Sequence, residues 1–176
     1  MNNRIFIFLT VFLSISFHSY ALKSDEKKPI QITANQATVD QKNLTTTFTG
    51  SVVITKGSLH INANTGFAKQ DSQGYKTLIL DGNPVKFEQQ QDDGNLIQGQ
   101  CNHFEFNSRD SLAILKGRAR VKDGKNEVSG DTLTYNTQTQ VYSARSGLSS
   151  GVSNSSRVTV ILEPTVKEDK NGKNQK

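Results

Sequence analysis

The chain has 176 residues with three prolines, one cysteine and no tryptophan, and its formal net charge is +5 at pH 7. That length suits a single domain able to build a core without disulfide staples, and the lone Cys101 excludes an intramolecular bridge. The positive charges form no stripe interleaved with aromatic residues, which argues against nucleic acid as a partner.

The first element is an apolar run. Arg4 precedes Ile5 to Phe17, thirteen residues, whereas a membrane-spanning helix needs about 20. Ser19-Tyr20-Ala21 then places small residues where a signal peptidase reads. Residues 1–21 are therefore predicted to be a cleaved secretory signal, with an uncleaved membrane anchor as the competing reading. Cleavage after Ala21 would remove Arg4 and lower the net charge from +5 to +4. Residues 22–164 are expected to form one domain. Residues 165–176, lysine-rich and without apolar side chains after Val166, are expected to be a disordered basic tail.

Within the domain, period-2 alternation predicts strands. Phe48, Gly50, Val52 and Ile54 share one face, with Thr47, Thr49, Ser51 and Thr55 on the other. Leu59, Ile61 and Ala63 repeat the pattern after Lys56-Gly57. Turn chemistry at Ser72-Gln73-Gly74, Asp81 to Pro84, Asp92 to Asn95 and Asp123 to Asn126 separates further strands. The Gly/Ser-rich stretch 146–156 reads as a loop before a last strand, Arg157 to Leu162.

The strands resemble one another. Phe48 to Ile54 recurs as Leu80 to Phe87 and as Leu115 to Val121, with Gly50, Gly82 and Gly117 spaced 32 and 35 residues apart. Each copy is followed by a branched apolar residue two positions before a small one: Ile61/Ala63, Ile97/Gly99 and Val128/Gly130, with Ile32/Ala34 as an earlier copy. The fold class is all-β, built of repeated antiparallel hairpin units whose apolar faces must be covered by neighbours. A jelly roll, a sandwich and a solenoid all satisfy the pattern.

No catalytic constellation emerges, and an enzyme is not expected. His18 falls in the predicted signal, His60 alternates outward, and His103 beside Cys101 does not supply the ligands of a zinc site. Neither His60 nor His103 has a partner legible in the sequence, and no Gly-x-Ser-x-Gly elbow or Walker lysine is present. No metal or cofactor is predicted. What remains is an apolar inner face, with Phe48, Phe67, Phe87, Phe104 and Phe106 as its aromatics. It is joined by Ile30, Ile32, Val52, Ile54, Leu59 and Ile61, and by Ile97, Leu112, Ile114 and Leu133. It either fills an ordinary core or parts enough to admit an apolar ligand.

The segments Ile30 to Asn35, Thr47 to Asn64, Leu80 to Phe87, Gln98-Gly-Gln and Val128 to Tyr135 resemble the OstA-like family of lipopolysaccharide-transport proteins. The resemblance covers about Pro29 to Pro164 and implies a twisted antiparallel β-jelly roll, open at both ends. It implies a periplasmic protein that binds the lipid A part of lipopolysaccharide and stacks head to tail. The stack would bridge an inner-membrane LptC-like component and an outer-membrane LptD-like translocon. Carried over, the lipid-lining positions are Ile30, Ile32, Phe87, Phe104 and Phe106; alternation adds Ile54, Ile61 and Tyr135. The docking edges would be Ile30, Gln31, Ile32, Thr33 and Ala34 at one end and Val158, Thr159, Val160, Ile161 and Leu162 at the other. The run Phe104-Glu105-Phe106 and the 146–156 loop depart from the family pattern. A membrane-anchored LptC-like component and a purely structural β-polymer are the alternatives.

Overall fold

In a computed structural model the described residues are Asp25, 27–139, 141–147 and 157–164. The predicted signal, most of the 146–156 loop and the basic tail lie outside them. Ten strands form one antiparallel sheet: β1 (Gln31–Thr33), β2 (Gln36–Asp40), β3 (Thr45–Lys56), β4 (Leu59–Gln70), β5 (Lys76–Gln90), β6 (Leu96–Asn107), β7 (Leu112–Asp123), β8 (Asn126–Asn136), β9 (Val141–Arg145) and β10 (Thr159–Ile161). The six long strands β3 to β8 pair in chain order. β1 and β2 lie end to end along β3, and β9 and β10 along β8. The two edges do not pair with each other, so the sheet is not closed into a barrel.

Turn residues set these pairings. Gly57 and Gly124 take positive φ in two-residue turns, closing Lys56 onto Leu59 and Asp123 onto Asn126. In the longer β4–β5 loop, Asp71 Oδ1 accepts from the amides of Gln73 and Tyr75 at 2.9 and 3.0 Å. Arg109 ties the neighbouring loop to this one, donating to Asp71 Oδ2 and Gln73 Oε1, both at 2.7 Å, while lying over the Tyr75 ring.

Every pairing among the six long strands slips register once near mid-strand. The slips coincide with consecutive positive-φ residues at Gly50–Ser51 and Gly117–Arg118, and with Gly82 to Pro84 on β5. Bulges bend a strand and sharpen its twist. Aligned from strand to strand, they form a crease that divides the sheet into two halves. Polar side chains line the crease: Asn64 Oδ1 accepts from the Asn83 amide at 3.0 Å, and Arg118 donates to Asn83 Oδ1 at 2.7 Å and Asn102 Oδ1 at 3.1 Å. The inner faces of both halves meet in one core, with Phe48, Leu80 and Leu115 from one side and Ile54, Ile61 and Val121 from the other. Cys101 sits within it, fully buried, and burial pushes its thiol up to about 12.

The register supports most of the repeat and corrects part of it. Phe48, Leu80 and Leu115 fall in one cross-strand row, and Ile54, Phe87 and Val121 in another. On β6, however, the residue level with Ile61 and Val128 is Gly99, so the Ile97/Gly99 alignment is displaced by two. The cause is steric: the Phe87 ring covers Gly99, where any Cβ would collide with it. Phe67, Leu112 and Ile114 belong to the opposite face, in rows with Thr47, Glu105 and Asn107. Phe67 is turned out because the slip between Asn62 and Thr65 reverses the alternation along β4. The continuous apolar run Leu112 to Leu115 hid which two of its members face inward.

Candidate lipid-binding face and sheet edges

The inner face is organised as rows that cross the whole sheet. One runs Ile32, Ile54, Ile61, Phe87, Gly99, Val121, Val128 and Val160, from β1 to β10 without interruption. Across the crease a second row starts at Ala37 and Phe48, passes Leu80, Phe104 and Leu133, and ends at Ala144. A third starts at Val39, passes Leu78, Phe106 and Tyr135, and ends at Tyr142. None of the side chains in these rows is charged.

Seven of the eight residues predicted to line a lipid site, Ile32, Ile54, Ile61, Phe87, Phe104, Phe106 and Tyr135, thus share one face. Ile30 precedes β1, has no cross-strand pair to place it on a face, and is 55% exposed. Packing divides the seven further. Ile54 and Ile61 are buried in the core, 3% and 4% exposed, whereas Ile32, Phe87, Phe104, Phe106 and Tyr135 are half-buried around it. The half-buried group is the surface a ligand could reach without opening the packed centre. Phe87 and Phe104 stand on opposite sides of the crease with ring centroids 6.2 Å apart, and Tyr135 stacks on Tyr142 at 4.2 Å. Burial raises both phenols above their ordinary range, so each hydroxyl keeps its proton near neutral pH.

On the Phe87 side of the crease the outer face is polar. Next to the apolar row run His60, Glu88, Gln98, Lys122 and Glu127. A shallow depression of about 460 Å³ lies there, lined by Lys86, Arg120, Lys122, Glu88 and neighbouring amides. His103 has a partner that its sequence neighbours do not reveal: Nδ1 is 2.7 Å from Asp81 Oδ1, its cross-strand neighbour on β5. Among the described residues no group of three His, Cys, Asp or Glu side chains could hold a metal ion, and no helix is long and apolar enough to cross a membrane.

The edges are where exposed apolar side chains gather. Among the described residues, apart from Tyr75 and Leu96 at hairpin ends, the large exposed hydrophobics are Ile30, Val39 and Leu44 on one edge and, on the other, Val141, Tyr142, Val158, Val160, Ile161 and Leu162. Of the residues predicted as docking edges, Gln31, Ile32 and Thr33 form β1, with Ile30 and Ala34 flanking it. Thr159, Val160 and Ile161 form β10, shorter than the predicted 157–162 strand, with Val158 and Leu162 beside it. Sequence reasoning missed the other half of each edge, β2 and β9. Their signal was present but short, Ala37/Val39 and Tyr142/Ala144, a single alternation each.

The described residues thus form an open, creased antiparallel sheet of the β-jelly-roll class, with uncharged, mainly apolar rows crossing its inner face and two edges that do not pair with each other. Comparison with known proteins agrees. Residues 31–141 match the family described as LptA/(LptD N-terminal domain) LPS transport protein, and the chain belongs to that family. It is 30% identical over 165 residues to the lipopolysaccharide export system protein LptA of Escherichia coli K12, covering 93% of this chain and 86% of that protein. It is 31% identical over 176 residues to the protein of the same name from Haemophilus influenzae, covering 98% of each. The crystal structure of LptH, the LptA-homologous periplasmic component of the lipopolysaccharide transport device of Pseudomonas aeruginosa, superposes with a TM-score of 0.69. There the identity is 27%, over 80% of this chain and 99% of that one.

Proposed function

We propose that this chain is a periplasmic carrier of lipopolysaccharide, holding the acyl chains of lipid A against its inner face and passing them along a protein bridge between the two membranes. The observation that carries the reading is the uncharged row from Ile32 to Val160, which reaches both edges of the sheet. An acyl chain in water costs about 0.8 kcal/mol per exposed CH₂, so a carrier must shield it along the whole path. A face that ended short of the edges would leave a gap at each joint. Ile32, Phe87, Phe104, Phe106 and Tyr135 would contact the lipid first, with Ile54 and Ile61 beneath them. The edges around β1 and β10 would pair with an inner-membrane LptC-like component, an outer-membrane LptD-like translocon and further copies of this chain, head to tail. Family membership supports this reading over a structural polymer with a filled interior.

The test is to purify the chain from the periplasm without detergent and identify bound lipid by mass spectrometry. Lipid A-bearing species are expected. Empty protein, or protein carrying only phospholipid, would contradict the proposal.

A further inference from the structure

The polar groups of the inner face gather at one end. The rows through Phe87 and through Leu80 carry no polar side chain. The row through Phe106 carries hydroxyls at Thr46, Tyr135 and Tyr142. Tyr135 and Tyr142 stand side by side where that row reaches β9, with ring centroids 4.2 Å apart and their hydroxyls hydrogen-bonded to each other. One phenol donating to the other leaves the acceptor's own hydrogen to donate elsewhere. From the other half of the sheet Asp123 approaches them. It lies two residues beyond Val121 on β7 and so on the inner face, level with Ile97 and Asn126. Burial raises both phenols most, and the nearby Asp123 charge raises them further. Gln91 Nε2 donates to Asp123 Oδ1 at 3.3 Å. A half-buried carboxylate, an amide and two phenols thus converge at the β7–β9 end of an otherwise apolar face.

We propose that this end of the inner face is a subsite for the sugar of an acylated saccharide, at the point where acyl chains join the headgroup. This rests on the carrier reading above and names the part of the lipid that the carrier recognises. Asp123 accepts from sugar hydroxyls and amide N–H groups, and its carboxylate keeps acceptor capacity beyond the Gln91 bond. The phenol hydrogen donates to the carbonyl of an acyl linkage. Tyr142, 39% exposed, offers ring surface to sugar C–H groups. A diacyl phospholipid has only ester linkages at this depth, with no donor for Asp123. Seating it would leave the carboxylate without a ligand partner, and a site built around hydrogen bonds rejects a ligand that lacks them.

The test is competition for the full chain between three probes with the same acyl length: an amide-linked acylated glucosamine disaccharide without phosphates, a phosphatidylglycerol and a free fatty acid. The parent chain is expected to favour the disaccharide over the phospholipid. Asp123→Asn, and Tyr135→Phe combined with Tyr142→Phe, should each weaken the disaccharide roughly tenfold. Fatty-acid affinity should stay unchanged, because both rings and the apolar packing are kept. Equal losses for disaccharide and fatty acid would overturn the subsite, since the polar groups would then serve packing alone. Unchanged disaccharide affinity in both variants would also overturn it while leaving the carrier reading standing. A parent chain that binds no disaccharide would overturn both.

Discussion

Phe87 shows how much one side chain can organise. Its ring covers Gly99, approaches Phe104 across the crease and fills the centre of the longest apolar row. Gly99→Val would force that ring aside, at a cost of about 1–3 kcal/mol for overpacking. Urea denaturation should report the loss of stability, and capture of lipopolysaccharide should fall with it. Phe87→Asp tests the lining more directly, because an unpaired carboxylate would stand where acyl chains pass. Lipid capture is expected to drop roughly tenfold or more, while Lys86→Asp on the outer face leaves it unchanged; transfer assays with extracted lipopolysaccharide separate the two. Cys101 provides a pH signature. Burial holds its thiol at about 12 in the folded chain, against 9.0 for the free group. Above about pH 9 the unfolded chain therefore releases a proton that the folded chain keeps, and stability falls as pH rises. The denaturation midpoint of the parent chain should decline more steeply than that of Cys101→Ala between about pH 9 and 11.

The crease is the feature that turns a row of hairpins into a scaffold. Gly117 holds a φ of +75°, and a Cβ there would sit 2.9 Å from Asn102 Nδ2. Gly117→Ala is expected to cost about 1–2 kcal/mol for the left-handed backbone, measurable as a lowered midpoint in thermal unfolding. At the edge, Val160→Pro removes a backbone donor from β10. Concentration-dependent assembly in light scattering should weaken, and unchanged assembly would point to an interface elsewhere. The long strands were legible because Phe48 to Ile54 and its copies alternate over several residues, long enough for periodicity to exceed chance. The crease was legible only as recurring glycines. That Ser51 and Arg118 join them at positive φ depends on pairing across strands, which no local pattern carries. The short edge strands β2 and β9, with one alternation each, fell below what local patterning resolves.

Taken as a whole, the described residues form an apolar strip folded along its length, with two edges that do not pair with each other. The strip's residues could be named from the sequence because family resemblance and alternation agreed at Ile32, Phe87, Phe104 and Phe106. The correction came where direction depends on register: Phe67 is turned outward by a slip. The division between buried Ile54 and Ile61 and the half-buried aromatics arises only when the two halves close on one core. The proposed function therefore rests on a contrast between faces, and that contrast can be measured. A photo-reactive residue is placed in cells at Ile32, Phe87 or Phe106 on the inner face, and at Thr33, Lys86 or Phe67 on the outer face. The account predicts lipopolysaccharide adducts from the first three positions and none from the second three. Equal capture from both faces, or capture from the outer face alone, would contradict it.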